Sequence, residues 1–381
     1  MKFLLGTLFL LSITSLTSVG QGKTASPSLQ LTLPSLWYGV PDVPVSLYYD
    51  NVILTENPDQ YHFTIKCDIG TPETRRWTVT PTSADTGDHA MEVSVADAEG
   101  KVLETAKTTL RIVDAKASRP LRLLIVGDSL TAATLYPNKI AALLNTPGNA
   151  SWTMLGTNRK PDSGSAGVVH EGYGGWTWAS FLRRYEPKPE RSPDGKSWKK
   201  RSSPFIYLEN GKPELDIARY IKEECAQQPP DVVTFLLGIN DCFRLKPSNP
   251  ALVDPSINAV LDNADKLLAA FHSAAPQATL AVALTPPANA RESGFEANYH
   301  GAYHRWEWKR IQHRLVQRMI ERLGHRQSDG IYLVPVELNI DPVDGFPNNN
   351  AVHPNLHGYT EIGCSFYAWL KAWMAGGLET K

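Results

Sequence analysis

A serine at the end of an apolar strand is the first residue of this sequence that could do covalent chemistry. Leu121-Arg122-Leu123-Leu124-Ile125-Val126 runs directly into Gly127-Asp128-Ser129-Leu130, and in open α/β sheets ligands bind outside the carboxyl ends of the strands. A serine there, followed by a segment able to start a helix, can expose its Oγ and aim its amide N–H at a reacting atom. Ester hydrolysis through such a serine also needs a base to take its proton and donors for the developing oxyanion. Suitable residue types occur in three further blocks: Glu171-Gly172-Tyr173-Gly174-Gly175-Trp176-Thr177, Gly238-Ile239-Asn240-Asp241, and His353-Pro354-Asn355-Leu356-His357-Gly358-Tyr359.

The elements that would position these blocks alternate between strand and helix. Apolar strands are expected at Leu121–Val126, Val232–Leu237, Thr279–Leu284 and Ile331–Val336. Helices are expected near Pro137–Leu144, Leu215–Cys225, Ile257–Ala274, Tyr303–Leu323 and Tyr359–Ala375. Continuously apolar strands with helices between them imply a parallel sheet covered on both faces. The first, third and fourth blocks then follow a strand or precede the last helix, while the second, Glu171–Thr177, is a glycine-rich turn leading into a helix.

Taken in order, the four blocks resemble the SGNH (GDSL) hydrolase family, over residues 119–377. The resemblance implies a three-layer α/β/α, flavodoxin-like domain with a parallel sheet. It implies Ser129 as nucleophile and first oxyanion donor, and Gly175 as the second donor through its backbone N–H, with Gly174 the runner-up. A side chain there would block close approach. Asn240 matches the third donor and His353 the base. The family's last block usually reads DxxH, whereas here it is Asn350-Ala351-Val352-His353. An amide can accept a hydrogen bond from imidazole but supplies no charge, and the Asp-to-Asn change in a serine protease costs ~10⁴ in kcat through the wrong tautomer. The expectation is a Ser–His dyad supported by Asn350 or its carbonyl; the alternative is an acid such as Asp341 or Asp344 reaching in from the preceding loop.

Plainer readings stand beside these. Asp128 could be a helix N-terminal acid or a contact that fixes the turn, Gly174-Gly175 only a tight turn, and Asn240-Asp241 a helix cap. His357 reads as a surface group at a helix start. The insert Arg183–Pro204 carries eight basic residues against three acidic ones and four Pro or Gly residues between 187 and 195. It is expected to be a loop, either merely solvated or a clamp for an anionic substrate.

Ahead of the hydrolase-like region, residues 31–113 read as a small all-β sandwich, loosely resembling immunoglobulin-like domains. Short apolar runs recur there with turn formers between them, and His89-Ala90-Met91-Glu92-Val93-Ser94-Val95 alternates as a half-buried strand does. Residues 1–20 read as a signal peptide: Lys2, an apolar run Phe3–Ile13, and Ser18 and Gly20 as small residues before a cleavage point. The alternative is an uncleaved anchor. No later apolar stretch is long enough to span a membrane, so the mature protein is expected to be soluble, and secreted or periplasmic.

Composition excludes several classes. With 38 basic and 39 acidic residues in 381, a chain built to grip nucleic acid is disfavoured. Four scattered cysteines form neither a dense disulfide scaffold nor a zinc knuckle. No metal motif appears, and no cofactor is expected. Such an exported hydrolase resembles esterases that strip acyl groups, often acetyl, from polysaccharides. Tyr173, Trp176 and Trp306 are the aromatic candidates for stacking on a sugar, with core packing as the plain alternative. A lipid or small-ester esterase, and a glycan-binding protein with a disabled site, are the competing readings.

Overall fold

The computed structural model describes residues 29–114, 116, 119–160, 166–193, 198–245 and 252–378. The expected signal segment, residues 1–20, lies outside them.

Five parallel positions make the main sheet. In space the order is Trp152–Leu155 with Glu171–Gly172, then Leu121–Gly127, Val232–Leu236, Thr279–Ala283 and Ile331–Val334. Trp152–Leu155 pairs with the first half of Leu121–Gly127 and Glu171–Gly172 with its last two residues, so two short segments share one edge. Numbered by that sharing, the order is 2-1-3-4-5, the flavodoxin-like arrangement. The central strands are buried along nearly their whole length, as strands covered on both faces must be.

Helices Leu135–Leu144 and Leu356–Met374 cover one face, where the Tyr136 and Phe366 rings stack at 5.4 Å. On the other face, Trp178 from helix Trp178–Arg183 and Phe271 from helix Val253–Ala274 both pack on Phe235 of the central strand. Helix Arg305–Leu323 lies against Val253–Ala274 through Arg314–Asp254 and Arg322–Asp265 ion pairs. The three-layer fold read from the sequence is therefore the fold observed.

The N-terminal segment is all β apart from short helical turns. One sheet runs Leu36–Gly39, Val102–Ile112, Gly87–Ala96, His62–Lys66; a second runs Val45–Tyr48, Arg76–Val79, Thr71–Pro72. Trp37, Val93 and Leu110 from the first and Leu47 and Trp77 from the second share one core. Leu338, from far along the chain, completes that core.

The junction between the two regions is polar and buried. Asn51 Nδ2 donates to the carbonyls of Glu337 and Ile340, Ser46 N–H donates to Asn339 Oδ1, and Lys309 pairs with Asp50. The two carbonyls so satisfied lie in the short helical turn Val336–Asn339 and just past it. The β region thus finishes the hydrogen bonding of the segment that precedes His353.

Candidate active site

Ser129 opens the short helix Ser129–Ala132 immediately past the first central strand. Asp128 caps it, its Oδ1 accepting from Leu130 N–H at 3.0 Å. That is the turn-fixing contact anticipated for Asp128. Burial raises the Asp128 carboxyl to about 7, with Asp241 nearby adding to the effect. Gly127 has no room for a side chain, because a Cβ would lie 1.9 Å from Thr131 Oγ1 and 2.9 Å from the Leu236 carbonyl. The strand end is packed against its neighbour closely enough to hold Ser129 at the switch point between the strands Leu121–Gly127 and Val232–Leu236.

The glycine turn follows the edge segment Glu171–Gly172. Trp176 N–H donates to the Tyr173 carbonyl at 3.3 Å, closing a four-residue turn with Gly175 in third place at φ 76°. Positive φ at that position is what a type II turn demands of glycine. A Cβ on Gly175 would meet no protein atom within 4 Å, so on the protein side it is the backbone conformation that calls for glycine here, rather than crowding. No described residue accepts from the N–H of Ser129 or Gly175, and Gly174 and Gly175 are both exposed.

Asn240 stands in the first turn of helix Ile239–Arg244, past the next strand. Its Nδ2 donates to the Trp176 carbonyl at 3.0 Å. One amide hydrogen is thereby tied to the glycine turn and the other is left to donate elsewhere. Asn240 is therefore oriented by the turn that presents Gly175.

His353 reaches the same place from the loop before the last helix. Its Nε2 is 2.9 Å from Ser129 Oγ and its Nδ1 is 3.2 Å from Asn350 Oδ1. The Asn350 oxygen also accepts from the backbone N–H groups of Val352 and His353, at 3.2 and 3.0 Å. These two backbone donors identify which amide atom faces inward, since a flipped Asn350 would set its NH₂ against both. An oxygen facing Nδ1 requires Nδ1 to carry the proton. The lone pair of Nε2 then points at the Ser129 hydroxyl, which donates to it. Burial lowers the His353 pKa, keeping the ring neutral at pH 7 and able to accept a proton.

The acids considered as substitutes are otherwise engaged. Arg75, from the turn before strand Arg76–Val79, donates to both Asp341 oxygens at 2.9 and 3.0 Å and to Asp344 at 2.7 Å. Burial opposes the Asp341 carboxylate, but Arg75 and the N–H groups of Asp344 and Val343 outweigh it and hold that carboxyl below its usual range. Neither acid bonds to His353. His357 pairs with Glu361 at 3.3 Å one helical turn on, as a surface group at a helix start does.

The aromatic candidates divide. The rings of Tyr173 and Trp176 are buried, 4.5 Å apart, and pack with Phe181. The Tyr173 hydroxyl also bonds to Glu171. Neither therefore offers an open face to a sugar, because the turn directs their backbones to the site and their side chains into the core. Trp306 is half-buried on the first turn of helix Arg305–Leu323, with the Arg310 guanidinium 6.0 Å from its ring. A different aromatic group packs between the segments that carry Asn240 and His353. Phe243, three residues past Asn240, packs with Tyr299 and the exposed Tyr303. Asn298 of the same helix, Glu292–Tyr299, accepts from Ala351 N–H beside the His353 loop. The sequence signal for it was the clustering of aromatics around 299–308, which does not by itself say which ring faces out.

The expected loop at Arg183–Pro204 contains a short hairpin, Glu190–Arg191 against Trp198–Lys200; residues 194–197 lie outside the described ones. Pro and Gly content marked the turn, but stacking of Arg191 on Trp198 at 4.1 Å supports pairing on either side of it.

The arrangement joins a serine hydroxyl to a neutral imidazole poised to deprotonate it, with the glycine turn tied to Asn240 beside them. Such a site can carry out acyl transfer to water. Residues 123–365 match the model of the GDSL-like Lipase/Acylhydrolase family, and the chain belongs to it. Similar solved structures include a family 3 carbohydrate esterase from Clostridium thermocellum, with 18% identity and a TM-score of 0.37 over 68% of this chain and 100% of that one. A carbohydrate acetylesterase from Sinorhizobium meliloti shows 14% identity and a TM-score of 0.37 over 66% and 99%. An inhibitor-bound aryl esterase from M. smegmatis shows 14% and 0.36 over 66% and 99%. Comparison with curated proteins gives no match.

Proposed function

We propose that this protein is an exported serine esterase that removes acyl groups, acetyl foremost, from polysaccharide or oligosaccharide esters. A β-sandwich over residues 31–113 precedes the catalytic region, 119–377, and residues 1–20 direct export. The observation that carries the reading is the 2.9 Å contact between Ser129 and His353 with the tautomer set by Asn350. Ser129 Oγ attacks the ester carbonyl while its proton passes to His353 Nε2. The resulting oxyanion is held by the N–H groups of Ser129 and Gly175 and by Asn240 Nδ2. His353 returns the proton to the departing sugar hydroxyl, leaving an acyl group on Ser129. Water, deprotonated by His353, attacks that acyl group; the carboxylic acid leaves and Ser129 recovers its proton.

The carbohydrate part rests on the outward-facing Tyr303 beside Phe243 and on the polar, basic surface around the glycine turn. A lipid-ester reading is favoured by one observation: Leu135 and Leu356, on the first turns of the helices that follow Ser129 and His353, are both exposed. A disabled glycan-binding site is opposed by the hydrogen bond that Asn350 makes to His353. The test is acid release from p-nitrophenyl acetate, acetylated polysaccharides and long-chain lipid esters, comparing wild type with Ser129→Ala. Serine-dependent release, fastest on acetylated glycans, is expected. Preference for lipid esters would transfer the reading to the second class, and no serine-dependent release on any ester would reject both.

A further inference from the structure

The glycine turn is flanked by two cations that, among the described residues, have no carboxylate within ion-pair distance. Arg201 lies 4.2 Å from the Tyr173 ring centroid, and Arg184 lies 5.3 Å from that of Trp176. Because the two rings are themselves in contact, both guanidinium groups sit on one aromatic pair, the pair whose backbone forms the turn with Gly174 and Gly175. Their chain segments are also tied together, with Ser203 N–H donating to the Arg184 carbonyl at 2.8 Å. Stacking holds each guanidinium plane while leaving its N–H edge able to donate.

Among the described residues neither arginine has a carboxylate within ion-pair distance, while neighbouring cations do. Lys199 and Lys200 both pair with Glu190. Glu171 is the acid nearest in the fold beneath Arg201, and the two attract through space. Glu171 is already served by Thr157 N–H at 2.6 Å, Thr157 Oγ1 at 3.1 Å, Tyr220 OH at 2.7 Å and Tyr173 OH. Among the described residues, the Arg201 guanidinium donates only to the Ser202 carbonyl. Unpaired, half-buried guanidinium groups beside an oxyanion turn are what a site for a bound anion requires.

We propose that Arg184 and Arg201 form an anion subsite, so that the preferred substrate is an acylated polyanionic glycan whose carboxylate or sulfate lies against this pair. The inference rests on the esterase reading and narrows it. The planar, two-pronged geometry of guanidinium suits both oxyanions equally, and the choice between a uronate and a sulfate ester is left to the substrates used in the test.

The experiment measures kcat/KM on acetylated polygalacturonate, an acetylated sulfated galactan and acetylated xylan as the less charged reference, for wild type and for Arg184→Gln, Arg201→Gln and both together. Wild type is expected to prefer one of the polyanions, with a preference that falls as salt rises. Each glutamine variant should lower the ratio of polyanion to xylan kcat/KM about tenfold, as loss of one charge-assisted contact does, mainly through KM. Arg184→Lys and Arg201→Lys, which keep charge but lose the fork, should fall between. Which polyanion responds names the group. Equal rates on all three glycans, or an unchanged ratio in the double variant, would overturn the proposal. Binding of the deacetylated polymers to Ser129→Ala, with and without the arginines, reads the subsite directly. It separates loss of this inference from loss of the esterase reading: arginine-dependent binding without turnover on any ester would keep the subsite and reject the esterase.

Discussion

The two halves of the proposed catalytic arrangement are held in place by different means. Ser129, Gly175 and Asn240 stand at the ends of strands or edge segments of one sheet, and the ties on them lie within the parallel-sheet region. Asp128 caps the helix that Ser129 opens, and the Trp176 carbonyl orients Asn240. His353 instead belongs to a long irregular loop, tied by Asn289 and Asn298 to Asn350 and Ala351 and, further back, by the β region. Arg75 grips Asp341 and Asp344; the Asp344 carbonyl accepts from Asn355 Nδ2 and the Gly345 carbonyl from Asn355 N–H, two residues past His353. Glu361 adds a second route, accepting from Tyr48 OH and from Asp341 N–H. The nucleophile side is thus built within one sheet, whereas the base side also draws on a surface more than 250 residues away in the chain. Under this comparison the β region acts as a brace for the base, whatever else it binds.

Breaking the chemistry itself should have the largest effect. Ser129→Ala or His353→Ala should lower kcat on p-nitrophenyl acetate by ~10⁴-fold or more, with residual rate from the oxyanion donors alone. Within the local half, Asn240→Ala should cost ~10²–10³ in kcat with little change in KM, because that donor acts on charge present only in the transition state. Steady-state kinetics on one soluble ester decides both. An Asn240→Ala enzyme within threefold of wild type would remove Asn240 from the oxyanion site.

The brace can be cut without touching the site. Arg75→Ala removes three hydrogen bonds across the junction, and the loop it releases carries His353. A displacement of about an ångström at a catalytic group can cost ~10²-fold. Since Gly345 and Asn355 still hold one another, a loss of about tenfold in kcat is expected, with KM nearly unchanged. The same substitution in a purely tethered domain would leave kcat alone, so unchanged kcat with intact folding would refute the brace. Arg75→Lys, which can meet one acid but not both in the fork geometry, should fall between.

The contrast also explains what could be read in advance. The parallel strands, their helices and the blocks at the strand ends are written in local pattern, where hydrophobic runs and glycines act over a few residues. The short edge segments Trp152–Leu155 and Glu171–Gly172 escaped that reading because each pairs with only part of one strand and has no pattern length of its own. Burial of Tyr173 and Trp176 was not legible either, since a turn's direction decides which way its side chains point. Arg75 carries no sequence mark of its role, because its partners meet it only through the docking of two regions. Asn350 is the intermediate case: an Asn whose side chain accepts from N–H groups two and three residues ahead is a local turn motif. On the proposed mechanism, its spacing to His353 is the answer to the missing acid.

That answer sharpens into the smallest of the expected effects. In a serine protease the Asp-to-Asn change is costly because the histidine adopts the wrong tautomer. Here the backbone N–H groups of Val352 and His353 hold the amide oxygen toward Nδ1, so Asn350→Asp should change the charge without changing the tautomer. A carboxylate beside the imidazolium favours the protonated ring and raises a pKa that burial now lowers, by about one unit or more. Because the base must be neutral, activity rises as pH climbs through that pKa. The acid limb of the kcat/KM profile should therefore move to higher pH in Asn350→Asp, while the plateau rate stays within about tenfold of wild type. Nitrogen NMR of His353 in the wild-type protein at neutral pH should report a proton on Nδ1. A proton on Nε2, or a plateau gain of a thousandfold or more in Asn350→Asp, would mean that the amide does not hold the tautomer and that the native site is impaired for want of an acid.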